Sequence, residues 1–390
     1  MSIDVAQIRA DTPGCEARLH FNNAGASLPP DPVLDTVIAH LRREAEIGGY
    51  EAAAEANSRL EHFYQAAARL VGGKAEEIAF IENATRAWDM AFYAIDWHAG
   101  DQILTAQAEY ASNYIAYLHV AQRHGVEVQT VPNDSHGQIS VEALEKQINE
   151  RTKLIAITHI PTNGGLVNPA AAVGKVAKAH GVPFLLDACQ AVGQIPIDVD
   201  AIGCDMLSAT GRKYLRGPRG TGFLWVRESM IGELDPPLLD LHAARWTGPD
   251  SYEVRGDARR FENWESFVAG RLGLAQAIDY ALDLGMENIR DRIYALATQL
   301  RDGLDSLPGA TVRDLGRERC GIVTFTVEGH DPQAIKETLA AQSINVSASR
   351  RASTLLDMTE RNLDVVVRAS VHYYNREDEV DRLIEAVKAL

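Results

Sequence analysis

The sequence predicts an α/β fold, in which helices cover both faces of a mostly parallel sheet, followed by a smaller α+β region. Short apolar runs alternate with helical segments from about residue 100 to residue 226, which is typical of such a sheet. Two long helical segments and a mixed pattern follow after about residue 265. The chain has 390 residues, 46% of them hydrophobic and 24% charged, enough for two domains with a large core.

Six apolar runs of strand length lie in the first region. They are predicted strands at 101–106, 126–132, 153–160, 182–188, 204–210 and 221–226. Helical patterns separate the first four of these strands, at 112–125, 140–150 and 169–181. Ser140 is a predicted N-cap, Pro169 suits a first helical turn, and Gly125 and Gly181 are predicted helix ends.

The second region has a different pattern of predicted helices and strands. We expect helices at 267–285, 289–307, 332–342 and 377–390, and strands within 321–329 and 365–374. The segment from Pro236 to about residue 257 is a predicted loop, one that can cross to a partner subunit. We therefore predict a large α/β domain at 20–264 and a small α+β domain that consists of residues 265–390 together with residues 1–19.

Charge and cysteine usage exclude several classes. The formal net charge is −16 and the isoelectric point is near 5.2, which argues against nucleic acid or an anionic membrane as the main partner. No apolar run approaches the roughly 20 residues of a membrane span, and the N-terminus lacks a signal-peptide pattern. The four cysteines form no CxxC pair, so we expect a cytoplasmic protein without a metal site.

Two chemically reactive side chains follow predicted strands. Asp187 comes directly after the run VPFLLD, and Lys213 follows CDMLSAT within a basic segment, SATGRKYLRGPRGTGFL, at 208–224. Alone, the aspartate is as well explained as a capping residue, and the lysine as a solvated side chain. Because ligands bind beyond the carboxyl ends of such strands, the two together indicate pyridoxal phosphate, which needs an amine and a carboxylate for its ring nitrogen.

The cofactor's phosphate and ring also need partners. A predicted helix begins near Thr85, and helix N-termini suit phosphate. Thr210 offers a second hydroxyl if the strands are neighbours. Tyr110 follows the strand at 101–106, where its ring can stack on the cofactor or lie half-buried at the surface.

These motifs carry a resemblance to a known family. Asp187–Gln190 (DACQ), Thr210–Lys213 (TGRK), and Arg368 followed by Tyr374 and Asn375 resemble the signature of the class V aminotransferases. This family includes cysteine desulfurases, selenocysteine lyases and isopenicillin N epimerase-like proteins. The resemblance extends from LHFNNAGASLPP to the C-terminus and implies a fold type I pyridoxal-phosphate enzyme with a seven-stranded-type sheet.

The resemblance also implies individual roles. Lys213 resembles the catalytic Schiff-base lysine, and Arg368 the arginine that grips the substrate carboxylate. The segment HIPTNGGLVNP matches a loop whose asparagine touches cofactor and substrate, with either Thr162 or Asn163 in that place; we predict Asn163, together with Gly25 of the N-terminal motif, as substrate-binding. The implied cofactor-binding residues are Thr85, Tyr110, Asp187, Gln190, Thr210, Arg212 and Lys213.

Two departures from the family pattern are informative. RRFENWESFVAG resembles a segment that reaches the partner subunit's site, which implies a homodimer, but Asn263 and Trp264 replace the usual Gly-Thr pair. The loop INVSASRRASTLLDM carries no cysteine near Ala352, where desulfurases hold a sulfur-accepting thiol. A persulfide-forming desulfurase is therefore disfavoured.

The reaction that these motifs favour is C–S lysis. HIPTNGGLV and TGRKYLRGPRG look most like a subgroup that includes hercynylcysteine sulfoxide lyases. We expect β-elimination from a cysteine S-conjugate or sulfoxide, with pyruvate and ammonia as products. An aminotransferase, an epimerase and a non-catalytic homologue are the alternatives. Four arginines could bind a distal group of the substrate or be solvated loop cations, namely Arg216, Arg219, Arg350 and Arg351.

Overall fold

The structure, a computed structural model, describes residues 3–390. It contains fifteen β-strands within this range, namely β1 Leu19–His20, β2 Ile78–Ile81, β3 Gln102–Ala106, β4 Glu127–Val131, β5 Thr152–Thr158, β6 Phe184–Asp187, β7 Met206–Thr210, β8 Gly222–Val226, β9 Ala244–Gly248, β10 Ser251–Val254, β11 Ala310–Val312, β12 Ile322–Val327, β13 Ile344–Asn345, β14 Ser347–Arg350 and β15 Val365–Ser370. All six strands predicted in the first region are present, as β3 to β8.

Sixteen α-helices accompany these strands in the described range. They are α1 Val5–Ala10, α2 Gly14–Ala17, α3 Asp31–Ile47, α4 Gly49–Glu55, α5 Asn57–Val71, α6 Ala84–Phe92, α7 Ala111–His124, α8 Val141–Gln147, α9 Ala170–His180, α10 Val199–Ile202, α11 Glu228–Ile231, α12 Val268–Leu284, α13 Met286–Asp305, α14 Pro332–Ala341, α15 Leu355–Glu360 and α16 Glu377–Lys388.

A seven-stranded sheet forms the centre of the fold. Its order is β2-β8-β7-β6-β5-β3-β4, and β8 alone runs opposite to the others. Alternation along each strand sends side chains to two separate cores: Ile155 and Ile157 of β5 face one, and Leu154 and Ala156 face the other. The predicted mostly parallel sheet, covered on both faces, is confirmed.

Helix caps explain where the flanking helices begin and end. Ser140 accepts a hydrogen bond from the backbone N–H of Ala143 at 3.2 Å, which confirms it as the N-cap of α8. Gly125 and Gly181 end α7 and α9 with φ values of 72° and 64°, a left-handed conformation that glycine adopts without strain. Pro169 lies one residue before the first helical position of α9.

A second sheet is built from the C-terminal part of the chain. Its antiparallel order is β11-β12-β15-β14, and the short pair β1–β13 joins the N-terminal segment to it. The predicted boundary at residue 264 stays a prediction. One expectation is wrong: the segment 236–257 is not all loop, because β9 and β10 form an antiparallel hairpin there. The hairpin is largely exposed, and its sequence lacks the alternation of apolar and polar residues that predicts a half-buried strand.

Candidate active site

A cavity of about 370 Å³ opens at the carboxyl ends of the parallel strands. Several strands direct residues to this edge: β5 ends at Thr158, β6 at Asp187 and β7 at Thr210, and all three residues line the cavity. The volume lies in the range of small-molecule sites. All seven predicted cofactor-binding residues line this one cavity, namely Thr85, Tyr110, Asp187, Gln190, Thr210, Arg212 and Lys213.

Asp187 is a buried carboxyl at the end of β6, with 5% of its surface exposed. The backbone N–H of Cys189 donates to its Oδ1 at 2.9 Å, and the Asn113 amide donates to its Oδ2 at 2.9 Å. Burial raises the pKa of Asp187, while these donors and the charge of Lys213 oppose the rise. A carboxylate so placed can hold a protonated ring nitrogen.

Lys213 is the amine of the cavity. It follows β7, only 9% of its surface is exposed, and it forms no ion pair with any residue of the described range. A buried lysine without a carboxylate partner is costly unless a ligand engages it. Its Nζ is therefore the nucleophile that this cavity offers to an aldehyde.

The cavity also offers hydroxyl groups and a helix N-terminus. Thr85 lies in the first turn of α6, whose N-cap Asn83 accepts from the N–H of Arg86 at 3.0 Å. The hydroxyl of Thr210 donates to the carbonyl of Thr221 at 3.4 Å. Together with the Arg212 guanidinium, these groups match the chemistry of a phosphate site.

Gln190 ties the cavity to the N-terminal segment. Its Nε2 donates to the carbonyl of Ala24 at 3.1 Å, whereas its buried Oε1 has no partner. An unmade hydrogen bond in a cavity wall indicates a polar ligand. With an amine, a carboxylate, an aromatic ring and a phosphate cradle around one cavity, the residues present fit pyridoxal phosphate.

The predicted substrate residues have different positions. Arg368 on β15 is buried and donates through Nη1 to the Thr162 hydroxyl at 2.6 Å and through Nη2 to Asn22 Oδ1 at 3.4 Å. Its Nε has no partner, and burial lowers the pKa of Arg368 to about 10. Arg368 has no carboxylate partner and contacts Thr162, which lines the cavity. Its guanidinium can therefore bind the carboxylate of an incoming substrate.

Of the two candidates in the HIPTNGGLV loop, the structure brings Thr162 to the cavity and not Asn163. The Asn163 amide donates instead to the Thr354 hydroxyl at 3.1 Å and to Met358 Sδ at 3.0 Å. The loop turns this amide toward α15, while the buried Oδ1 of Asn163 has no partner. A substrate contact at Asn163 stays a prediction. Sequence spacing alone does not decide which of two adjacent residues in a glycine-containing loop faces the cavity.

Gly25 also stands away from the cavity wall. Its carbonyl accepts a hydrogen bond from Arg212, and a Cβ at this position would lie 2.7 Å from Asn22 Oδ1. Gly25 thus packs closely against Asn22 and holds the Arg212 guanidinium through its carbonyl. A contact between Gly25 and substrate stays a prediction.

Sequence reasoning missed three residues near the cavity. Cys189 lines it, with a thiol whose pKa burial raises, and Asn113 lines it beside Asp187. Glu109 lies just behind Asn113, only 3% exposed. The sequence could have indicated Cys189 as a cavity residue, because it lies between Asp187 and Gln190. Glu109 and Asn113 belong to a loop and a helix whose sequence pattern does not distinguish them from other such elements.

The basic segment 208–224 divides into two parts. Arg219 lies at the cavity, whereas Arg216 is buried, 1% exposed, among aromatic rings on the other side. Arg216 is therefore neither a solvated loop cation nor a contact for substrate. Arg350 is exposed, and Arg351 pairs with Asp364 at 2.7 Å.

Metal-binding and membrane-spanning features are both absent from residues 3–390. No group of three or more histidine, cysteine, aspartate or glutamate side chains in this range could hold a metal ion. None of the helices in the same range has the length and the apolar character needed to span a membrane.

Comparison with known proteins agrees with this geometry. The aminotransferase class-V family matches residues 19–383. The cysteine desulfurase of Escherichia coli O8 (strain IAI1) is 28% identical over 415 residues, covering 100% of this chain and 99% of that protein. The apo structure of a cysteine desulfurase from Thermococcus onnurineus NA1 matches with a TM-score of 0.92 and 27% identity, covering 100% of this chain and 98% of the other.

A third likeness concerns the fold. The structure of the cystine C–S lyase C-DES, solved in complex with its product cysteine persulfide, has a TM-score of 0.88 at 24% identity, over 97% of this chain and 99% of the other. The family match covers almost the whole sequence, and the cavity has the residues that its cofactor requires. The chain therefore belongs to the aminotransferase class-V family of pyridoxal 5'-phosphate enzymes.

Proposed function

We propose that this protein is a C–S lyase that catalyses β-elimination on a cysteine S-conjugate or cysteine sulfoxide. Water enters, and pyruvate, ammonia and a thiol or sulfenic acid leave. The observation that carries the proposal is that Lys213, Asp187 and Gln190 line one cavity, while the segment 344–358 has no thiol. A conjugate of the hercynylcysteine sulfoxide type is one substrate of this class.

Pyridoxal phosphate, when bound, supplies a conjugated ring that accepts the electron pair released at the substrate's α-carbon. Lys213 Nζ takes the α-proton as general base, since it is the buried amine of the cavity. The Asp187 carboxylate holds the proton of the ring nitrogen. Thr85, Thr210 and Arg212 bind the phosphate.

The remaining residues orient the substrate. Arg368, whose Nε has no partner, binds the α-carboxylate, and Thr162 fixes the guanidinium. Tyr110, about one third exposed, lies at the cavity where its ring can stack on the cofactor and its hydroxyl can protonate the leaving sulfur.

We also propose a homodimer. The segment 236–267 exposes a group of large apolar side chains, an arrangement that marks an interaction surface. Trp246 is 81% exposed, and the others are Leu238, Leu241, Tyr252, Trp264 and Phe267. Trp246→Glu is expected to convert a dimer into monomers in light scattering, and a wild-type monomer would contradict this proposal. A cytoplasmic location stays a prediction.

The test of the function uses purified protein with added pyridoxal phosphate. It is given L-cysteine and a panel of S-substituted cysteines and their sulfoxides, and pyruvate and ammonia are followed together. Equal release of both from one conjugate supports β-elimination. Alanine with a persulfide on Cys189, amino-group transfer to a keto acid, or racemised substrate without pyruvate would replace the lyase with a desulfurase, an aminotransferase or an epimerase. A chain that binds the cofactor but converts nothing would be a non-catalytic homologue.

A further inference from the structure

A second buried carboxyl lies behind the proposed ring-nitrogen partner. Glu109 is 3% exposed and forms no ion pair with any residue of 3–390. Two backbone N–H groups donate to it, those of Tyr110 at 2.8 Å and Thr158 at 3.0 Å. The hydroxyls of Thr105 and Thr158 and the amide of Asn113 donate as well. Burying a carboxyl without a cation costs free energy of folding, even with this many hydrogen-bond donors around it.

The Asn113 amide joins the two carboxyls. Its Nδ2 lies 2.9 Å from Glu109 Oε1 and 2.9 Å from Asp187 Oδ2, so its two protons are used, one on each. Glu109 therefore prevents the amide from turning over. Were it to turn, its oxygen would face the Asp187 carboxylate and remove a donor from the anion.

We propose that Glu109 is a positioning residue for the cofactor site: through Asn113 it fixes the Asp187 carboxylate, and through the N–H of Tyr110 it fixes the residue beside the cofactor ring. The proposal rests on the proposed role of Asp187 as partner of the ring nitrogen. Glu109 also precedes the N-terminus of α7, where a negative charge is favourable.

The electrostatics of the pair are consistent with this role. Burial raises the pKa of Glu109 to about 7, and the donor groups, Thr158 first, act in the opposite direction. The groups that face Glu109 are the Asp187 carboxyl and the Tyr117 phenol, whose pKa burial and Glu109 both raise. Above pH 7, Glu109 thus adds negative charge behind the Asp187 carboxyl.

The test compares Glu109→Gln with a matched variant at the opposite end of the sheet. Glu77 is 5% exposed and accepts from the Lys74 N–H, the Trp225 indole and the Glu228 N–H. Glu77→Gln also removes one buried carboxylate, but far from the cavity. Apo protein is titrated with pyridoxal phosphate, and the visible absorbance of the bound cofactor is followed against pH.

For Glu109→Gln we expect the cofactor's dissociation constant to rise about tenfold and the pH midpoint of its visible absorbance to fall by about half a unit, because a negative charge near the ring's proton is lost. Asn113→Leu is expected to raise the dissociation constant similarly. The double variant should raise it by less than the product of the two separate effects, because one route from Glu109 passes through Asn113. Glu77→Gln should lower the melting temperature and move neither quantity.

Three results would overturn the inference. They are wild-type binding and midpoint in Glu109→Gln, additive effects in the double variant, and an equal shift in Glu77→Gln. If Glu109→Gln does not fold, Asn113→Leu decides, since wild-type values in that variant also overturn it. A wild-type chain that shows no visible absorbance with pyridoxal phosphate would instead contradict the proposed function.

Discussion

Two clusters of buried polar groups adjoin the segment 208–224, and they differ in whether their hydrogen bonds are made. At the cavity, Gln190 Oε1 has no partner, nor has the nearby Arg368 Nε. On the other side of the segment, Arg216 donates to Leu28 O at 2.8 Å, Tyr373 Oη at 3.0 Å and Thr12. We call these residues the Arg216 cluster.

Aromatic rings complete the Arg216 cluster. The guanidinium lies 4.7 Å from the ring centre of Tyr374 and 5.2 Å from that of Tyr373. These contacts stabilise a cation that has no carboxylate partner in the described range. A buried charge with its donors satisfied therefore serves the fold, whereas unpaired polar atoms around a cavity indicate a ligand.

Removing the amine should have the largest effect. Lys213→Ala is expected to lower turnover at least about a thousandfold, because the α-proton loses its base, and to abolish the visible absorbance of bound cofactor. The melting temperature should change little. Pyruvate release and a thermal melt of the same sample measure both; retained turnover would remove Lys213 from the mechanism.

The Arg216 cluster should respond in the opposite way. Arg216→Met is expected to lower the free energy of unfolding by about 3 kcal/mol, since Thr12 and Tyr373 lose their partner and the rings lose the cation. Urea unfolding measures this. The matched control is Arg219→Met in the same segment, which is exposed and should cost less than about 0.5 kcal/mol. Equal losses in both variants would remove the distinction between the two clusters.

Acid sensitivity offers a third contrast, at His159 directly after β5. The ring is buried with Nδ1 unpaired, and burial lowers the pKa of His159 to about 4 from its ordinary 6.5. The folded protein favours the neutral ring, whereas the unfolded chain takes up a proton below pH 6.5. The free energy of unfolding is therefore unaffected above pH 6.5 and decreases as the pH falls from 6.5 toward 4. The loss amounts to about 3 kcal/mol for such a shift.

His159→Asn should therefore show a shallower fall in unfolding free energy between pH 6.5 and 4 than the wild type. His98→Asn is the control, because His98 is exposed and should leave the slope as it is. Parallel slopes for wild type and His159→Asn would show that the buried ring does not cause the acid sensitivity.

The smallest predicted effect concerns the geometry of the group that is proposed to bind the substrate carboxylate, the Arg368 guanidinium. Arg368→Lys keeps a positive charge but loses the planar fork that can bind a carboxylate through two bonds. We expect KM to rise about tenfold for the best conjugate, with kcat changed less. Steady-state kinetics on that conjugate test this, and an unchanged KM would place the substrate carboxylate elsewhere.

Much of the site could be predicted because the carboxyl ends of parallel strands meet at one edge. Tyr110, Asp187 and Lys213 are far apart in sequence, yet strand order brings them together at one cavity. The sequence could not separate Arg216 from Arg219, since both are cations in one glycine-containing segment. Nor could it find Glu109, whose function depends on an amide of the next helix and on a strand some fifty residues later.

The most direct measurement is to locate the covalent attachment of the cofactor. The chain is loaded with pyridoxal phosphate, reduced with borohydride, digested and mapped by mass spectrometry. We expect the reduced cofactor on the peptide that contains Lys213, and on no other lysine in stoichiometric amount. Attachment at another lysine, or none, would contradict the assignment of this cavity as the active site.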